Sequence, residues 1–357
     1  MQAGGGSVTE QLVASGLVTA EQLATCISPM EPTPDAATLL NRLVQKRLLT
    51  KWQAEQIFAG RYKDFFLAHY KLLRPLREFG MVRYFEAVDT QLNRPVVVKI
   101  APSTLESGEE NARFREEGAI ALKLRHENIV HTFQMGRQGP FYYLVLELVE
   151  GCTLFQFMTQ CGRLSVAQTA SIAYQVLQGL EYAHTKDIVH GDITPANITI
   201  TRDGRIKLVV VGLAKNEGRT AVGSLSIDYC APELGGDVTR ATAGSDIYAL
   251  GCTLYHCLTG RPPFPSGTPT QKIALHRTAY APRIESIRHD VSPSFVNLIH
   301  RDMLSKDPLH RFISAGDGAQ EFRRWVPGQM IYDELTALTS AAFYEQHAQP
   351  IFLNPRH

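Results

Sequence analysis

Long apolar runs are missing from this chain. No window approaches ~18 unbroken apolar residues, which argues against a membrane-spanning helix. A charge excess is missing too. The 36 basic and 35 acidic residues leave a net charge of +1, so no overall field draws the chain to nucleic acid or to an acidic membrane surface. The opening stretch MQAGGGSVTE has neither a basic start nor an apolar run and does not read as a signal peptide. Cysteine is sparse. The six cysteines, at 26, 152, 161, 230, 252 and 257, form no CxxC pair, which argues against a zinc site or a disulfide framework and reads as reduced thiols in a cytoplasmic protein. What is present is a chain of 357 residues, 44% of them hydrophobic. That is enough for one large domain with a small appendage, or for two medium domains.

Four regions follow from the patterning. Residues 1–66 read as a small all-α module with a weak two-copy repeat: LVASGLVTAEQ from Leu12 and LVQKRLLTKWQ from Leu43 share their leucine, valine, threonine and glutamine positions. A threonine after an apolar pair is a helix N-cap signal, because its hydroxyl can accept a free backbone N–H. Each copy therefore reads as helix, turn, helix, with the proline-rich SPMEPTPD between them as a linker. From about residue 70 to 149, short β-branched runs such as RPVVVKI and FYYLVLELV surround a stretch with helical spacing, EENARFREEGAIALKLRHENIV. From about 150 to 325 the chain is mostly helical, SPSFVNLIHRDMLSKD among its helices. The exception is a strand pair in ANITITRDGRIKLVVV, where Asp203-Gly204 is a hairpin turn signal. Residues 326–357 read as a partly helical tail. The expected class is α+β: a small β-rich lobe, a larger α-rich lobe and a ligand cleft between them.

The stretch IVHGDITPANI, from Ile188 to Ile198, resembles the catalytic loop of eukaryotic-type (Hanks-type) protein kinases, with His190, Asp192 and Asn197 at the pattern positions. Other matches follow in order. Lys99 in VVVK resembles the nucleotide-binding strand lysine, and Glu117 on the next helix resembles its ion-pair partner. CAPEL carries the A-P-E signature through Ala231, Pro232 and Glu233. SDIYALG places Asp246 and Gly251 in the buried helix that follows, and LSKDPLHRF places Arg311 as the partner of Glu233. Glu147 and Val149 fall at the hinge position that contacts nucleotide in the family. The resemblance covers residues 70 to 325 and is nearest to bacterial serine/threonine kinases. It implies a bilobal protein-kinase-like fold behind the helical module. It also implies ATP and Mg2+ as cofactors, with Asp192 accepting the substrate hydroxyl proton and Lys99 and Glu117 positioning phosphates. Structural alternatives stay open for each residue: Lys99 and Glu117 as an ordinary ion pair, His190 as a packed core residue, Asp192 and Asn197 as groups that satisfy their own loop.

The departures from the family pattern concern the phosphate chemistry. The D-F-G aspartate that should hold metal before Gly212 is Val210, and no aspartate occurs between Asp203 and Asp228. A valine offers no oxygen to a hard cation, which leaves Asn197 as the one remaining metal-ligand position. The glycine-rich loop is lost, with Arg77, Phe79 and Val82 at its glycine positions and Gly80 the only nearby glycine. Tyr84, Val97 and Thr199 alter the adenine slot. Gly191 replaces the arginine before the catalytic aspartate, so a phosphate on Thr220, Ser224 or Ser226 lacks its usual partner. Thr194 replaces the catalytic-loop lysine, and Val211 and Ala121 change the apolar stack near Glu117. Glu217 is the nearest acid downstream of the gap. These features imply a pseudokinase with weak or absent ATP/Mg2+ binding. Its role would be a scaffold or allosteric regulator whose partners are proteins, such as a partner kinase or signalling protein. The helical repeat and the tail YDELTALTSAAFYEQHAQPIF are the candidate docking surfaces. The alternatives are an active kinase, or another phosphoryl or nucleotidyl transferase, with a non-standard metal site, and a chain that binds nucleotide without metal.

Overall fold

A computed structural model of the chain describes residues 7–27, 34–79, 81–103, 108–209, 227–235, 240–328 and 332–336. The first four helices start where a short polar side chain can cap them: α1 (Val8–Ala14) on Ser7, α2 (Ala20–Ala24) on Thr19, α3 (Ala36–Gln45) on Asp35 and α4 (Lys51–Phe58) on Thr50. The repeat copies are built alike. In each, the threonine hydroxyl accepts from the glutamine N–H three residues on, and that glutamine side chain accepts from the threonine N–H. Leu12 and Leu43, at matching repeat positions, are both fully buried in one small core with Leu23, Leu40, Ile57 and Phe65.

A six-stranded sheet follows: β1 (Phe66–Leu67), β2 (Tyr70–Phe79), β3 (Val82–Asp89), β4 (Arg94–Pro102), β5 (Thr132–Gln138) and β6 (Phe141–Glu147), in the order β1-β2-β3-β4-β6-β5. Alternation along β3 and β4 gives the sheet two faces. Phe85 lies opposite Val98, and Tyr84 lies opposite Lys99 on the other face. The Phe85 face is covered by α4, whose Trp52 ring sits 5.8 Å from the Phe85 ring and 5.7 Å from that of Phe65. The register of β2 skips between Leu72 and Arg74, leaving Leu73 out of the ladder. The carbonyls there go to α4 instead: Thr50 Oγ1 donates to Leu73 O and Gln53 Nε2 to Leu72 O, both at 2.6 Å. Residues 1–106 and 134–148 accordingly cluster as one unit, helices and sheet together.

Residues 107–133 and 149–357 make the second unit. It contains α5 (Gly108–Ala121), β7 (Gly151–Thr153), α6 (Leu154–Cys161), α7 (Val166–His184), β8 (Ile198–Thr201), β9 (Ile206–Leu208), α8 (Ala243–Thr259), α9 (Pro269–Thr278), α10 (Pro293–His300), α11 (Ala315–Arg323) and α12 (Asp333–Thr336). α7 and α8 are buried almost all round, so they form the centre of this unit's core. β7, β8 and β9 form a small antiparallel sheet. The β8–β9 turn contains Gly204 at φ +77°, and a Cβ there would lie 2.1 Å from Tyr332 O, so glycine serves both the turn and the approach of α12. The apolar spacing of SPSFVNLIHRDMLSKD extends past the helix it forms. α10 stops at His300, and a turn follows in which Asp302 and Leu304 N–H reach back five residues to Asn297 O and Ile299 O. Of the candidate tail, residues 337–357 lie outside the described part of the chain.

Candidate functional site

In the second unit, the loop between α7 and β8 is organised around one buried carboxylate. Asp246, 1% exposed in the first turns of α8, accepts the backbone N–H of His190 at 2.9 Å and of Gly191 at 2.7 Å. His184 Nε2 lies 2.8 Å from the same carboxylate. Three donors and a helix N-terminus suit a buried negative charge. Gly191 makes its contact at φ +71°, a conformation that a residue with a Cβ adopts only with strain.

His190, also buried, spans the loop. Its Nδ1 accepts the Asp192 N–H at 3.3 Å, which assigns the ring proton to Nε2, and Nε2 donates to Val209 O at 3.0 Å. Asp192 and Asn197, each 7% exposed, are held together: Asn197 Nδ2 donates to Asp192 Oδ2 at 2.8 Å and to Asp192 O at 2.9 Å. Val209 N–H donates to Asn197 O at 3.0 Å, so Val209 is tied to this loop through both its N–H and its carbonyl. The four residues His190, Asp192, Asn197 and Asp246 therefore form one hydrogen-bonded cluster. Val210, Val211, Gly212, Glu217, Thr220, Ser224 and Ser226 lie outside the described residues.

Glu233 and Arg311 form a second cluster in the same unit. The guanidinium meets the carboxylate through two parallel bonds of 2.7 and 2.8 Å, donates to Gly244 O and Ser305 O, and lies 4.9 Å from the Tyr248 ring centroid. Ser245 Oγ adds a bond to Glu233 at 2.8 Å. Burial pushes the Glu233 carboxyl up, but the bonds and charge of Arg311 outweigh it and leave the group below its ordinary range. Elsewhere in this unit Glu117 is half-buried on α5, Val149 and Thr194 are buried, and Thr199 on β8 is fully buried, its Oγ1 meeting no hydrogen-bond partner among the described residues.

In the first unit Lys99 is 6% exposed on β4, between Tyr84 on β3 and Leu144 on β6. Its Nζ lies 5.7 Å from the Tyr84 ring centroid. Val97 is fully buried, and Glu147 ends β6 opposite Val96. Val82 begins β3, while Gly80 and the side chains of Arg77 and Phe79 lie outside the described part. Lys99 and Glu117 thus belong to different units, and each takes its place within its own. The sequence reading missed three contacts: His184 on Asp246, Ser245 on Glu233, and Tyr84 beside Lys99. The first two had no local signal, since His184 and Asp246 lie 62 residues apart. The third was readable only with the β3–β4 register in hand.

Among the described residues no helix is long and apolar enough to cross a membrane, and no cluster of three or more His, Cys, Asp or Glu side chains is placed to hold a metal ion.

The family profile described as protein kinase domain matches residues 78–321, more than half the chain. The chain is 37% identical over 257 residues to serine/threonine-protein kinase PrkC of Bacillus subtilis, covering 70% of this chain and 39% of PrkC. It is 32% identical over 255 residues to serine/threonine-protein kinase PknD of Mycobacterium tuberculosis, covering 70% of this chain and 38% of PknD. The probable serine/threonine-protein kinase SCO3848 of Streptomyces coelicolor is 32% identical over 274 residues, covering 73% of this chain and 40% of its own length. The matched segments thus span about two fifths of the length of these relatives. An α+β chain with a β-sheet unit, a helical unit and an ordered His190–Asp192–Asn197 loop, matched in this way, belongs to the protein kinase family, with bacterial serine/threonine kinases of the Hanks type among its relatives.

Proposed function

We propose that the chain is a pseudokinase, a kinase fold that works by binding other proteins as a scaffold or allosteric regulator in the cytoplasm and does not transfer phosphate. The observation that carries this reading is the donor set. Family chemistry uses Mg2+ to screen the transferring phosphate, and a hard cation needs oxygen ligands. Of the positions that hold metal in the family, Asn197 supplies an oxygen. The next position in the family's set is Val210, directly after a residue tied by both its N–H and its carbonyl to the same loop. No aspartate lies between Asp203 and Asp228. The residues present therefore fit a Mg2+-nucleotide poorly, and no catalytic step is derived through it. Each ~1.4 kcal/mol of lost charge stabilisation is a factor of ten in rate, and a metal ion supplies several such units.

A second reading, phosphoryl or nucleotidyl transfer with a relocated metal ligand, is favoured by one observation: the Asp192–Asn197 pair keeps its mutual hydrogen bond. Incubation with radiolabelled ATP, a generic protein substrate and Mg2+ or Mn2+ decides between them. The pseudokinase reading expects no incorporation above that of Asp192→Ala. Incorporation that Asp192→Ala abolishes would establish the second reading.

A further inference from the structure

We propose that the Phe85 face of the six-stranded sheet carries a binding site of its own, a cavity that takes an amphipathic cation: an apolar body with one positively charged end. The site is independent of phosphate chemistry, because Lys99 lies on the opposite face of the same strands.

The cavity has a volume of about 500 Å3, within the ~300–1,000 Å3 of small-molecule pockets, and every described residue that lines it belongs to the first unit. Its walls come from the stretch between α4 and β2, the adjoining ends of β2 and β3, and the turn between β5 and β6. Strand register explains the apolar floor. Leu72 lies opposite Ala87 and Ile100 opposite Arg83, so Leu72, Phe85 and Ile100 share one face. Phe85 marks the border with α4: its ring meets Trp52 and also lines the cavity. Two further apolar side chains at the cavity keep much of their surface in water, Met81 at 60% exposure and Phe141 at 39%. Filling such a concavity with an apolar chain gains about fourfold in affinity per buried methylene group.

The charges at the cavity select the end group. Glu78 and Arg83 are cross-strand neighbours whose charged atoms lie 3.7 Å apart, so they answer each other. Asp64 is exposed, and no described residue pairs with its carboxylate or hydrogen-bonds to it. Two acids against one base leave the cavity one negative charge in excess. An ammonium end therefore meets an uncommitted carboxylate, whereas an anionic end meets a guanidinium already paired.

The test is isothermal titration of the chain with decyltrimethylammonium below its micelle concentration, beside decanoate and butyltrimethylammonium. It is run on the wild type, Asp64→Asn, Ile100→Trp and Phe141→Ala. The expected result is one saturable site for decyltrimethylammonium and no measurable binding of the short-chain butyltrimethylammonium. Decanoate is expected to bind about threefold more weakly, the size of one exposed ion-pair contact. Asp64→Asn is expected to erase that preference and leave the gain from the long chain, since asparagine tolerates the φ of +67° at this position as aspartate does. Ile100→Trp fills the floor and is expected to weaken decyltrimethylammonium about tenfold or more; Phe141→Ala removes a wall ring and is expected to weaken it about threefold. Melting curves establish that each variant is folded, and Phe141→Ala carries the test if Ile100→Trp melts early. Absence of saturable decyltrimethylammonium binding overturns the proposal, and so does binding that the folded cavity variants leave unchanged. Decanoate binding as tightly as the cation overturns it too. Sedimentation velocity on the same samples covers a different occupant: a wild-type dimer that Ile100→Trp dissolves would mean that a second copy fills the cavity, and would overturn the proposal. None of these readouts depends on phosphate transfer, so a failure here is distinct from a failure of the pseudokinase reading.

Discussion

The loop around Asp192 is built on a network of side-chain and backbone hydrogen bonds, while the strand pair around Lys99 is built on a backbone ladder between apolar and aromatic neighbours. In the loop, buried polar atoms are matched with polar partners: Asp246 takes two backbone N–H groups and a histidine, and Asn197 clasps Asp192. In the strand pair, a buried amine is set beside a phenol ring, with Leu144 opposite and Val97 nearby. A carboxylate in the protein interior has no substitute for hydrogen-bond donors, so the loop can persist only with its whole network. A lysine is more forgiving, since its stem is apolar and a ring can meet part of the amine's demand. A kinase fold can therefore keep its catalytic-loop architecture for structural reasons while its nucleotide-facing strand drifts. On this account the hydrogen bonds of Asp192 and Asn197 serve the fold, and Val210 is the position that bears on phosphate transfer.

The comparison breaks most severely if the polar networks of the second unit contribute little. Arg311→Ala strands the Glu233 carboxylate and is expected to cost about 3 kcal/mol or more, visible as a fall of several degrees in the melting temperature. A drop within error would mean that these networks are ornamental. Next in size is the grip of α4 on β2. Gln53→Ala leaves the buried Leu72 carbonyl without its donor and is expected to cost about 2 kcal/mol. The matching change in the first repeat copy, Gln22→Ala, touches an exposed capping box and should cost about 0.5 kcal/mol in a urea titration. Equal effects would show that the two copies do the same job. Gly191→Ala is expected to cost about 1 kcal/mol, because the loop holds that position at φ +71°.

The smallest expected effect concerns pH. The folded Glu233 carboxyl lies below its ordinary range, so its contribution is present above about pH 4.3 and fades as pH falls through the lower folded value. The stability gap between wild type and Glu233→Gln should accordingly narrow between about pH 6 and about pH 3 in parallel thermal melts. A gap that widens on acidification would contradict the ion-pair account.

Much of this architecture was legible in the residues. Thr19 and Thr50 announced their helices because N-capping is a local bond between residues three apart. Asp203-Gly204 announced its hairpin because only a few residues tolerate that backbone. The apolar sweep of α8 ran from its Thr242 cap to Gly260, which closes the helix at φ +76°. The kinase fold itself followed from the order of several short motifs. The illegible parts depend on contacts distant in sequence or on irregular register. The skip at Leu73, which turns two β2 carbonyls toward α4, has no signature in YKLLRPLREF. It ties the helical repeat to the sheet, where the sequence read as a separate module. The end of α10 was obscured because Met303 and Leu304 are buried by a turn yet keep helical spacing. At the site, Asp192 and Asn197 could be picked out by pattern. That Lys99 lies beside Tyr84 required the strand register, and that Asp246 acts through backbone N–H groups required the fold.

The account stands or falls on whether phosphate moves. The chain incubated with γ-labelled ATP, Mn2+ and a generic substrate, beside Asp192→Ala, is predicted to give the same background label in both. Incorporation by the wild type that disappears in Asp192→Ala would contradict the central claim, because it would require a metal held without an oxygen donor at position 210.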